Sequence, residues 1–166
     1  MRMMLLAIAG LVAVLVAGCG SSSSSADDQV PVSRQDPGTG ATATAKARGP
    51  KLTITASDYG RILANGRGRA LYLFTADHGR GSSCSGGCAR AWPPYMVKAR
   101  PTAGRGVRRG LIGTTRRDDG KLQATYGGHP VYFYEGDNEP GEVLCQAVNE
   151  FGGFWYVLRV TGKAVR

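Results

Sequence analysis

The segment Leu71-Tyr72-Leu73-Phe74-Thr75-Ala76-Asp77 returns 60 positions later as Val131-Tyr132-Phe133-Tyr134-Glu135-Gly136-Asp137. Each copy follows a glycine turn, Asn65-Gly66 or Gly127-Gly128, and precedes a tryptophan, Trp92 or Trp155. This order implies two copies of one supersecondary unit, paired by an approximate twofold relation. Repeat 1 spans about 52–97 and repeat 2 about 107–160. Within each copy the pattern favours strands. Leu52-Thr53-Ile54-Thr55 alternates, Leu122 to Tyr126 repeats the theme, and Phe154 to Leu158 reads as a buried closing strand. Asn-Gly and Gly-Gly between such runs are hairpin signals, because a two-residue turn needs positive φ. No window carries a 3.6-residue apolar period, so the expected class is an all-β, antiparallel domain.

The chain before this domain reads differently. Met1-Arg2-Met3-Met4 is a short basic start, and the apolar run to Val16 would extend only about 21 Å as a helix, too short for a hydrocarbon core about 30 Å thick. Residues 1–18 read as an export signal. Val16-Ala17-Gly18-Cys19 resembles a bacterial lipobox, which would make Cys19 the mature first residue, its thiol carrying diacylglycerol; two acyl chains anchor stably where one does not. From Cys19 through five serines to Pro50 the composition is Ser, Pro, Thr, Ala and Gly with little bulky apolar content, the mark of a disordered tether. The expected domain is 51–166, and the expected location is extracytoplasmic, lipid-anchored at a bacterial membrane.

The net charge of +9 is unevenly placed. Residues 51–166 carry 17 bases against 9 acids, and eight of those bases lie between Lys98 and Lys121, opposed only by Asp118 and Asp119. Arg105, Arg108, Arg109, Arg116 and Arg117 form the candidate basic patch. For an exported domain the fitting polyanions are lipid headgroups or wall polymers. No aromatic residue interleaves these bases, so nucleic acid is not expected. A solvated loop with no dedicated partner is the plainer alternative.

Further residues carry a resemblance. Gly60-Arg61-Ile62-Leu63, Gly68 to Asp77, Cys84-Ser85-Gly86-Gly87-Cys88-Ala89 and Trp92-Pro93-Pro94 in the first copy are joined by Arg117, Asp119-Gly120, Gln123, Tyr126-Gly127-Gly128, Pro130, Tyr132, Tyr134, Asp137 and Gly152-Gly153 before Trp155 in the second. Together they resemble the bacterial lipoproteins with a Tyr-x-(Phe/Trp/Tyr)-x-x-Asp motif, also called the secreted repeat of unknown function. Cys145 and Glu142 depart from that pattern. The resemblance implies a place and a class, and little chemistry.

The candidate sites follow. Cys84 and Cys88, in an oxidising compartment and separated by Ser-Gly-Gly, suit a local disulfide. Their rival use is a redox or copper-handling site with His78 and, more distantly, Met96 as metal ligands. Removing Cys19 and that pair leaves Cys145 as the odd thiol. Asp77 and Asp137 stand before turn formers and are expected to accept backbone N–H bonds there; the alternative pairs them as acid and base. Tyr72, Phe74, Tyr132, Tyr134, Trp92 and Trp155 are expected in the core. No nucleophile, zinc-peptidase or phosphate-loop motif is present, and no cofactor is expected. The function these residues favour is a non-catalytic binding or envelope-maintenance module, with redox or copper handling as the alternative.

Overall fold

The computed structural model describes residues 48–166; the signal segment 1–18, Cys19 and the tether up to residue 47 lie outside the described residues. The elements are β1 (Lys51–Ser57), β2 (Gly60–Asn65), β3 (Tyr72–Phe74), α1 (Gly86–Ala91), β4 (Met96–Val97), β5 (Thr102–Ala103), a 3-10 turn at Arg109–Leu111, β6 (Ile112–Arg116), β7 (Leu122–Tyr126), β8 (His129–Pro130), β9 (Val148–Glu150) and β10 (Gly153–Val157). They form sheets β2-β1-β5, β3-β10-β9 and β4-β7-β6, with β8 on β7. The strand pairings are antiparallel except β1 with β5, which are parallel over Lys51–Thr102 and Leu52–Ala103.

The twofold relation is written in the backbone hydrogen bonds. Tyr72 N–H donates to the Tyr132 carbonyl at 2.9 Å and Tyr132 N–H to the Tyr72 carbonyl at 3.0 Å, joining equivalent positions of the two copies. Around this bridge, Leu63 N–H to Leu158 O (2.8 Å) is matched by Ala124 N–H to Tyr95 O (2.9 Å), and Leu158 N–H to Leu71 O (3.1 Å) by Tyr95 N–H to Val131 O (2.9 Å). Each copy therefore sends its last strand into the other copy's sheet: β10 pairs with β3, and β4 with β7. Neither copy satisfies all of its own backbone donors, so the two fold as one unit.

Burial follows the same plan. One apolar cluster gathers Leu52, Leu63 and Leu71 with Ile112, Tyr126, Val131 and Leu158. The second gathers Tyr72, Phe74 and Trp92 with Tyr132, Trp155 and the buried Cys84 and Cys88. Each draws on both repeats, as a core shared across a twofold requires.

Gly127 and Gly128 hold φ of +59° and +88° between β7 and β8, the two-residue turn the sequence implies. The other turn differs from expectation. Gly68, not Gly66, takes positive φ (+86°), and the Asn65 side-chain oxygen accepts N–H bonds from Arg67 (2.9 Å) and Arg69 (3.0 Å). An asparagine that caps its own backbone replaces the tight Asn-Gly hairpin with a wider loop. Helix α1 is also unanticipated. Six residues make too few turns for an apolar period to register.

Candidate functional site

The tyrosines and aspartates of the repeated motif meet across the repeats. The Tyr72 hydroxyl donates to Asp137 Oδ2 at 2.6 Å, and the Tyr132 hydroxyl donates to Asp77 Oδ2 at 2.7 Å. The other oxygens do what the sequence suggested: Asp137 Oδ1 accepts Leu144 N–H at 3.0 Å, and Asp77 Oδ1 accepts Ser83 N–H at 2.7 Å. Each aspartate thus fixes its own following loop and fastens it to the opposite repeat.

The two fastenings differ in environment. Asp137 is fully buried, and burial pushes its carboxyl above the usual aspartate range. Burial, then the Asp137 hydrogen bond and charge, pushes the Tyr72 phenol far up. Asp77 is half-buried. On its side the Tyr132 hydroxyl, itself raised mainly by burial, also pairs with Ser82 Oγ at 2.8 Å. A general base must reach the proton it abstracts. Here the oxygens of both carboxyls already accept hydrogen bonds, so the geometry makes them structural acceptors.

Arg117 departs from the sequence expectation of an exposed basic patch. It is half-buried, and its guanidinium donates to Ser82 Oγ, to Gln123 Oε1 at 2.8 Å and to the Cys84 carbonyl at 2.6 Å. It braces the first repeat's loop. Arg117 and Gln123 are among the residues that carry the family resemblance, whereas Ser82 is not, and nothing in the sequence pairs the three.

Four motif-linked rings stack across the seam. Phe74 lies on Trp155 (4.1 Å, 9° between planes), Trp155 on Trp92 (4.1 Å, 4°), and Tyr134 tilts on Trp92 (4.8 Å, 44°). Tyr72 and Tyr132 meet Trp92 and Trp155 edge-on at 5.2 and 5.1 Å. The Trp92 indole N–H donates to Glu150 Oε2 at 2.9 Å. Tyr72, Phe74, Trp92, Tyr132 and Trp155 are buried in the core, as expected, while Tyr134 is half-buried against it, and each offset or edge contact adds about 1 kcal/mol beyond area burial.

Cys84 and Cys88 form a disulfide with Cα atoms 5.3 Å apart, and both residues are buried. Thiol–disulfide exchange needs access to a sulfur, which this setting restricts. Cys145 is free and half-buried. Cys145 follows the Asp137-bound Leu144 as Cys84 follows the Asp77-bound Ser83, so it occupies the pseudo-equivalent position. Its sulfur beside the Tyr134 hydroxyl pushes that phenol up to about 12. His78 is exposed and Met96 lies on β4 at 39% exposure. Among the described residues, no three His, Cys, Asp or Glu stand together in a way that could hold a metal ion.

Four of the remaining arginines line two grooves. Arg48, Arg100 and Arg109 line a groove of about 610 Å³, and Arg80 and Arg100 line a second of about 450 Å³ over Gly113 and Gly127. Neither is lined by a carboxylate. Arg100 is held in place by its Nε and Nη2 donating to the Ile112 carbonyl at 3.1 and 2.6 Å. Arg105, Arg108, Arg109 and Arg116 are exposed. Among the described residues the only ion pair is Lys121 with Asp119 at 3.5 Å, so the arginine charge is left for solvent or a ligand. Arg48 and Arg80 belong to this face but lie outside the sequence run between 98 and 121. Folding alone brings them in.

No helix among the described residues is long and apolar enough to cross a membrane. Neither a search of curated proteins nor one of solved structures returns a match. A family profile described as a secreted repeat of unknown function matches residues 53–96 and again 113–159, once in each structural repeat. With two matches that together cover more than half of its length, the chain belongs to the family of the secreted repeat of unknown function.

Proposed function

We propose that this is an exported, non-catalytic binding module that is tethered to the bacterial cell membrane by lipid on Cys19 and captures anionic envelope polymers on its arginine-lined face. The observation that carries the reading is the pair of adjoining grooves around Arg48, Arg80, Arg100 and Arg109, free of carboxylates. A cleft of one charge sign concentrates polyanions near its walls. The motif residues supply the frame, since their polar groups are consumed by one another.

Substituting glutamine for Arg48, Arg80 and Arg109, which line the grooves and are exposed, is expected to weaken binding to isolated wall polymer by up to about a hundredfold at low salt, at up to about 1 kcal/mol per charge. Wild-type binding is expected to fall steeply as salt rises. Binding that ignores both salt and these substitutions overturns the reading. The anchoring half is tested by fractionation: Cys19→Ala is expected to release the protein from membranes, and unchanged retention removes the lipid anchor.

A further inference from the structure

The arginine grooves continue into a third, and that continuation ends on sugar-sized aromatic surface. The third groove, of about 460 Å³, is lined by Leu73, Thr75, His129, Lys163 and Arg166 together with Asp77. It meets the second groove at the β7–β8 turn, where Gly128 precedes His129 and where a Cβ on Gly127 would stand 3.0 Å from Gly162 Cα. Only glycine at both positions lets the two backbones come this close. Six cationic side chains, Arg48, Arg80, Arg100, Arg109, Lys163 and Arg166, line these grooves against the single side-chain carboxylate of Asp77, which accepts from Tyr132 and Ser83.

At its far edge lie two rings, the exposed Phe154 and the half-buried Tyr156, whose inner side packs against the first core cluster. Phe154 and Tyr156 are alternate residues of β10 and so share one face of the strand. Their centroids are 6.0 Å apart and their planes 25° apart. Phe154 is 43% exposed. The Arg166 guanidinium lies 5.6 Å over the Tyr156 ring, linking the rings to the third groove. Thr75 and Asn149, both exposed, flank Phe154 on the neighbouring strands.

Resting on the binding function proposed above, we infer that the polymer is a linear acidic polysaccharide whose sugar rings stack on Phe154 and Tyr156 while its acidic groups follow the grooves from Lys163 and Arg166 towards Arg80 and Arg100. A polyphosphate has no apolar face to lay on paired rings beside a cationic groove. The C–H face of a pyranose is such a face, because it is apolar, flat and ringed by hydroxyls that Thr75, Asn149 and His129 can meet.

The test compares polygalacturonate with inorganic polyphosphate as ligands of the exported chain. Phe154→Ala with Tyr156→Ala is expected to weaken polygalacturonate binding about tenfold, the effect of two lost ring contacts, and to leave polyphosphate binding unchanged. Phe154→Leu with Tyr156→Leu keeps apolar bulk without a ring and is expected to lose as much. Thermal melts check that each variant stays folded. Equal losses for both polymers, or full polygalacturonate binding by the leucine variant, overturn the sugar assignment while leaving the arginine face intact. Failure of the wild type to bind either polymer overturns the polysaccharide inference and the binding function together.

Discussion

Trp92→Ala is expected to cost about 4 kcal/mol, the range for truncating a large buried aromatic. Trp92 has no exposed surface, and it lies between Trp155 at 4.1 Å and Tyr134 at 4.8 Å with Tyr72 against its edge. Removing it opens the seam between repeats from both sides and returns the exposed Glu150 carboxylate that its N–H meets to water. Against a total stability of about 5–15 kcal/mol, such a loss lowers the melting midpoint by roughly 15 °C or more. Urea titration of the variant gives the number directly. The exposed Phe154 supplies the contrast: Phe154→Ala is expected to cost below about 1 kcal/mol. A Trp92→Ala loss that small would mean the stacked seam is not what joins the repeats.

The second large effect is expected at the buried fastening. Asp137→Ala leaves the buried Tyr72 hydroxyl without an acceptor and frees the part-exposed Leu144 N–H, a loss of about 3 kcal/mol. Asp77→Ala is expected to cost clearly less, because Asp77 is half-buried and Tyr132 keeps Ser82 as a partner. The buried carboxyl also gives a pH signature. Its folded pKa is raised, mainly by burial, so the folded state holds the proton more tightly than the unfolded chain does. The stabilisation from Asp137 is complete below its unfolded pKa of about 3.9 and is lost as pH rises through the folded value. The stability gap between wild type and Asp137→Asn is expected to be wider in mild acid than at neutral pH. A gap that narrows on acidification would contradict this ordering of the two states.

Sequence periodicity captured what is local and repeated. The alternation in Leu52 to Thr55, the Gly127-Gly128 turn, the short Cys84–Cys88 loop and the core role of Tyr72 and Trp155 all depend on neighbours within a few residues. The interlocking of the repeats depends on partners 65 and 55 positions apart, Tyr72 with Asp137 and Asp77 with Tyr132. A repeat shift of 60 is equally compatible with bonds inside one copy or between two, so periodicity cannot decide between them. Arg117 looked like its exposed neighbours because charge density along the chain does not reveal which arginine turns inward to Gln123 and Cys84. Conversely, Arg48, Arg80, Lys163 and Arg166 were unremarkable singly and become one path only after β7, β8 and the C-terminal turn pack together.

That path is the centre of the functional proposal, and amide chemical-shift mapping tests it with the fewest intervening steps. The exported chain, isotopically labelled, is titrated with polygalacturonate at low salt. The expected result is a contiguous set of shifted amides at Arg80, Arg100, Arg109 to Gly113, Gly127 to His129 and Lys163, with Tyr72 and Asp137 unmoved in the core. Shifts centred instead on the Cys84–Cys88 loop or on the buried Tyr72–Asp137 fastening, with the arginine grooves silent, would contradict it.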